Sequence, residues 1–221
     1  MRIAAQAVGV IALATALSGC GQSPSTNPSK ADGQPQSERE KQAADQERAA
    51  AEIKKMGGQV EVDPKNPTKP VVTVKLTNNP EIKDEALVHL KSLPDLTHLW
   101  LGSTSVTDEG LAHLKTLKKL QYLDLGGTQV TGAGLTSLEG LPQLQELVLD
   151  LSPVTDGGVQ FARGLKQLRT LRLRETKITD VGSAHLKGLT KLEFLDVGKT
   201  AVTDAGEKEL QKALPKAKIG R

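Results

Sequence analysis

Three of the four histidines, His89, His113 and His185, stand at one phase of a repeating pattern, and imidazoles held at fixed spacing can ligate a metal. Such a site also needs a carboxylate or thiolate converging on them, and the pattern supplies none. Each histidine falls just before an inward leucine, so repetition accounts for them and no metal ligand is assigned. Asp108, Asp156, Asp180 and Asp204 form a second column. Calcium wants six or more oxygens together, whereas these carboxylates come one per repeat. Helix capping is the reading they support. No serine lies in a G-x-S-x-G elbow, and Gly126-Gly127 lacks phosphate-loop spacing. No catalytic residue and no cofactor is assigned, and the chain reads as a non-enzyme.

One residue carries a definite covalent chemistry. Cys20 is the only cysteine, which rules out an intrachain disulfide or a thiolate metal cluster. Arg2 and the uncharged apolar run over residues 3–17 have the build of a secretory signal peptide, too short for a comfortable membrane span. The ending Leu17-Ser18-Gly19-Cys20 resembles the lipobox of bacterial lipoproteins. That resemblance implies removal of residues 1–19, a diacylglyceryl group on the Cys20 thiol and acylation of the new N-terminus. Two or three acyl chains make membrane attachment durable. Gly21 stands where that family's inner-membrane retention signal is typically Asp, which leans toward an outer membrane or the cell surface.

The elements that would carry a site begin beyond the leader. Residues 20–37 hold no large apolar side chain after the cysteine and read as a disordered tether, with a mean reach of roughly 20–25 Å. Ser37 and Glu40 have capping-box spacing, and a run of helix formers continues to Gly57-Gly58. Its apolar stripe, Ala49, Ile53 and Met56, is confined to the last turns. The spacing therefore predicts a helix whose first half is a solvated spacer and whose second half docks. Gln59-Val60-Glu61-Val62 alternates like a strand before Pro64, Pro67 and Pro70 interrupt regular structure. Residues 38–70 are thus expected to be a spacer helix and an N-terminal cap.

From residue 71 a unit repeats. Leu96, Leu120, Leu144, Leu168 and Leu192 lie 24 residues apart without slippage, the mark of a solenoid in which each unit buries its neighbour's apolar edge. Six copies cover 71–214, the first carrying an extra residue near Asn78-Asn79-Pro80. The pattern LxxLxLxxTxVTDxGLxxLxxL resembles leucine-rich repeats, specifically the 24-residue bacterial class with VTDAGL-type units found in lipid-anchored members. It implies an α/β horseshoe, with short parallel strands on the concave face, helices on the convex face, and a role in protein recognition. Thr107, Thr131, Thr155, Thr179 and Thr203 are expected helix N-caps, with Lys83 in their place in copy one. Thr104, Thr128, Ser152, Thr176 and Thr200 are expected to satisfy buried loop backbone. Residues 215–221 read as a polar tail.

Positions that the repeat does not dictate are the informative ones. Outward strand positions expected on the concave face include Lys75, His98, Trp100, Tyr122, Asp124, Glu146, Asp150, Arg172, Arg174, Phe194 and Asp196. Aromatics make up 2% of the chain, and Trp100, Tyr122 and Phe194 all fall in this set. Exposed Trp, Tyr and Arg are what interface hot spots favour. Phe161, on the convex side, is the exception. The net charge of +3 comes from intermixed acids and bases, which gives no case for nucleic acid. The sequence points to a membrane-anchored recognition module for an unidentified protein or peptide. A glycan or wall-polymer binder and a structural envelope spacer are its rivals.

Overall fold

The spacing of the outer leucines decides how the convex side winds. Leu111, Leu114 and Leu117 recur every third residue, the period of a 3-10 helix rather than an α-helix. A computed structural model, which describes residues 36–220, follows that spacing. Asp84–Ser92, Gly110–Leu114 and Ala133–Leu138 are 3-10 segments. In the fourth and fifth coils a single α-turn, Asp156–Val159 or Asp180–Ser183, leads into 3-10 winding at Gln160–Gly164 or Ala184–Gly188. Only the sixth coil, where Gly206, Leu210 and Leu214 fall four apart, forms a longer α-helix, Asp204–Ala213. The leader, Cys20 and most of the expected tether lie outside the described residues.

The inner side is a sheet of eight strands in chain order. They are β1 (Gln59–Val62), β2 (Val71–Lys75), β3 (His98–Trp100), β4 (Tyr122–Asp124), β5 (Glu146–Val148), β6 (Thr170–Arg172), β7 (Phe194–Asp196) and β8 (Lys218–Gly220). β1 runs antiparallel to β2, and every later pairing is parallel. In a three-residue strand, alternation sends the middle side chain one way and its neighbours the other. Leu99, Leu123, Leu147, Leu171 and Leu195 are therefore stacked in register, each fully buried.

Both ends are covered. Helix Gln36–Lys55 buries Ala49 and Ile53 against the first coil, as its thin stripe predicts. Gln46 ties it to the sheet: its side-chain oxygen accepts from Val71 N at 2.9 Å and its amide donates to Lys69 O at 3.3 Å. At the other end, the segment read as a polar tail contributes β8 and buries Ala217.

Two polar ladders brace the coils. Thr104, Thr128, Thr176 and Thr200 each donate their hydroxyl to the carbonyl three residues back at 2.6–2.7 Å. Ser152 instead reaches Leu125 O in the preceding coil at 2.8 Å. The second ladder differs from the capping role expected of the aspartates. Each carboxylate reaches forward to the next coil's threonine: Asp84 to Thr107, Asp108 to Thr131, Asp156 to Thr179 and Asp180 to Thr203, accepting from both amide and hydroxyl. Thr155, Thr179 and Thr203 do cap their helices, whereas Lys83 makes no side-chain cap and Gly132 takes the N-cap position after Thr131. Gly132, with φ of 107°, also removes the carboxylate that Thr155 would receive. The third and fourth coils meet there through backbone: a Cβ on Gly158 would lie 2.0 Å from Thr131 O.

Candidate functional site

The register that stacks the leucines also lines up their outward neighbours. One row runs His98, Tyr122, Glu146, Thr170, Phe194 and Lys218; the next runs Lys75, Trp100, Asp124, Val148, Arg172 and Asp196. Gly102, Gly126, Asp150, Arg174 and Gly198 follow two residues later in each coil. Because parallel strands sit about 4.8 Å apart, large side chains in one row must touch.

Coils two and three hold an aromatic cluster. His98 stacks on Trp100 with ring centres 5.6 Å apart, and Trp100 meets Tyr122 at 4.8 Å with a 38° tilt. His98 and Tyr122 close the group at 6.1 Å. Lys75 Nζ lies 5.1 Å from the Trp100 ring centre and 2.8 Å from Glu61 Oε1, so the cap strand β1 borders the cluster.

Coils four and five hold a fixed charge pair. Asp150 receives Arg172 Nε at 2.7 Å and its Nη2 at 2.6 Å, a two-pronged contact, while its other oxygen accepts from Arg174 N at 2.9 Å. That partner drives the Arg172 pKa further above its usual value. Between the two groups sits Asp124. Its Oδ1 accepts from Gly126 N at 2.8 Å, and its Oδ2 lies over Gly102, where a Cβ would come within 2.9 Å. Burial and then the Asp150 charge push its pKa up, against the pull of the Gly126 amide. Burial, followed by the nearby Asp124 charge, raises the Tyr122 hydroxyl as well.

A leucine-rich-repeat family model matches residues 116–138. The crystal structure of an internalin from Listeria monocytogenes superposes with a TM-score of 0.54 at 21% identity, over 67% of this chain and 39% of its own. An internalin C2 from the same species gives a TM-score of 0.47 at 25% identity, over 77% of this chain and 80% of that one. No curated protein sequence matches. The fold is a leucine-rich-repeat solenoid. The chain spans 39% of the length of the first internalin.

Within the leucine-rich-repeat sheet, not every expected surface residue is available. Asp196 is a correction: only 8% exposed, it accepts from Gly198 N at 2.8 Å and faces Gly220 of β8. The strand formed by the supposed tail covers it. Nor do the aromatics all meet, since Phe194 lies three coils from Tyr122, about 14 Å along the sheet. Phe161 packs partly into the core beside Ala162. Arg172, expected among the outward binding positions, is already held by Asp150. Glu146 and Arg174 remain accessible, Glu146 exposed and Arg174 in part.

Two features escaped sequence reasoning. Glu61 is one; its place between Val60 and Val62 put it on the outward face, but only the antiparallel pairing brings it to Lys75. The other is a column of left-handed residues at one position per coil: Asn78, Ser103, Gly127, Leu151, Glu175 and Lys199, with φ between 55° and 65°. Asn78 and Gly127 hint at it, while Leu151 does not. Leu151 is 64% exposed beside Asp150. Among the described residues, no group of three His, Cys, Asp or Glu side chains is arranged to hold a metal.

Proposed function

We propose that this chain is a recognition protein that binds a protein or peptide on its concave face, anchored by lipid on Cys20 to a bacterial cell envelope. The observation that carries the reading is the His98–Trp100–Tyr122 cluster. These rings lie on the side of the sheet away from the leucine core, half-buried rather than sealed, in a chain with few aromatics. Rigid aromatic side chains supply large contact area at low entropy cost, which is why they dominate interface energetics. Glu146, the register partner of Tyr122 on the next strand, borders the cluster as polar rim.

The test is capture from native envelopes by a photo-crosslinking amino acid at position 122, together with pull-down by a Trp100→Ala, Tyr122→Ala double variant. Specific recovery that the double variant loses supports concave binding. Equal recovery by the variant overturns it. The anchor is tested separately, through incorporation of labelled palmitate and its loss, with release from membranes, in Cys20→Ala. A glycan platform is the second reading, favoured by the Trp100 and Tyr122 rings. Against it, Trp100 already has His98, Tyr122 and Lys75 as ring neighbours, so part of its face is taken. Sedimentation with peptidoglycan separates the two.

A further inference from the structure

We propose that the partner presents a cationic side chain, lysine or arginine, to Asp124 on the concave face beside Trp100 and Tyr122. The inference rests on the concave-binding reading and names the chemistry of its partner.

Asp196 shows what a purely structural role for such a carboxylate looks like. Both carboxylates follow the same local rule, accepting the amide of the glycine two residues on, Gly126 or Gly198. A brace of that kind needs one oxygen and no charge. Asp196 is sealed under β8, whereas Asp124 keeps its second oxygen on the concave side above Gly102, half-exposed. One residue type therefore has the same local geometry twice, and only one copy faces a possible partner.

Among the described residues Asp124 has no direct ion-pair partner, and Arg172 acts on it only from a distance. Of the nearby concave cations, Lys75 is paired with Glu61 and Arg172 with Asp150. Among the described residues, neither Asp124 nor its neighbour Glu146 has a salt-bridge partner within 4.0 Å. Asp124 also feels the repulsion of Asp150. An incoming cation would relieve that repulsion. The glycines at 102 and 126 make room for the carboxylate itself, whose Oδ2 lies over Gly102, and Trp100 is its register partner on the neighbouring strand, with the Tyr122 ring against Trp100. Apolar rings lower the local dielectric, so an ion pair formed here is stronger than one on an open surface. A lysine or arginine suits the shape, since its methylene stem can lie along the rings while its head meets the carboxylate.

Trp100 is the only tryptophan and the register partner of Asp124, so its emission reports on the surroundings of that carboxylate directly. The experiment titrates the full chain with lysine amide and arginine amide, using norleucine amide and a neutral cell-wall disaccharide as controls. We expect a saturable change with the cationic probes at least tenfold tighter than with norleucine amide. Asp124→Asn, which keeps an acceptor for Gly126 N, should lose at least fivefold of that affinity with an unchanged far-ultraviolet circular dichroism spectrum. Val148→Lys, which places a tethered amine beside Asp124 in the same row, should weaken the probes by a similar factor. Binding should also weaken as pH falls through the Asp124 titration. No saturable response below about 10 mM, equal response to norleucine amide or the disaccharide, or full affinity in both variants would overturn the inference. If the double aromatic variant loses the envelope partner while Asp124→Asn retains it, the cation is wrong and concave binding stands. If the double variant still recovers the partner, both fall.

Discussion

Tyr122 and Leu123 are adjacent in β4 and obey different rules. On the inner side of the sheet the same residue recurs in five consecutive coils, Leu99 to Leu195, without exposure. On the outer side the paired positions read His98 and Trp100, Tyr122 and Asp124, Glu146 and Val148, Thr170 and Arg172, Phe194 and Asp196, and no pair repeats. The inner side is constrained because every coil must fit the one before it at close-packed density. The outer side carries no such condition, so its residues are free to follow contacts with something else. A repeat protein thereby separates what holds it together from what it recognises.

The largest way to stress that comparison is Leu147→Ala on the inner side. It should destabilise the chain by about 2–5 kcal/mol in urea unfolding, since the cavity lies between two packed coils. A loss below about 1 kcal/mol would mean that the coils do not depend on one another as drawn. Thr104→Val removes the donor to the buried Leu101 carbonyl and should cost about 1–3 kcal/mol in the same measurement. Trp100→Ala, on the outer side, should cost only about 1 kcal/mol, the scale of a ring contact, while removing most partner recovery. Comparable stability losses from Leu147→Ala and Trp100→Ala would erase the distinction between the two sides.

Two smaller effects sharpen it. Leu151→Gly should stabilise by up to about 1 kcal/mol, because glycine accepts the left-handed conformation that leucine resists. An Asp124→Asn difference should depend on pH. The folded-state pKa of Asp124 is raised, so the stability supplied by its protonated form is fully present below the unfolded-state value and fades as pH rises through the folded one. The variant should therefore match the parent in acid and be slightly more stable at neutral pH, as thermal melts across that range would show. The reverse order would contradict the burial and repulsion assigned to this carboxylate.

Much of the molecule was legible as sequence because its determinants are local and periodic. The 24-residue recurrence, the Leu-x-Leu alternation, the threonine column and the docking stripe of Ala49 and Ile53 each say which way a residue faces, and facing depends only on backbone period. Even the 3-10 winding is written in the three-residue spacing of Leu111, Leu114 and Leu117, which the repeat resemblance alone does not distinguish from an α-helix. What the tertiary structure alone decided is which outward side chains meet. The forward reach of Asp180 to Thr203, the capture of Arg172 by Asp150, the approach of Glu61 to Lys75 and the burial of Asp196 under β8 all join residues on different strands or coils. Periodicity sets the face a side chain occupies; lateral register and the covering of the ends, which are nonlocal, set its neighbours.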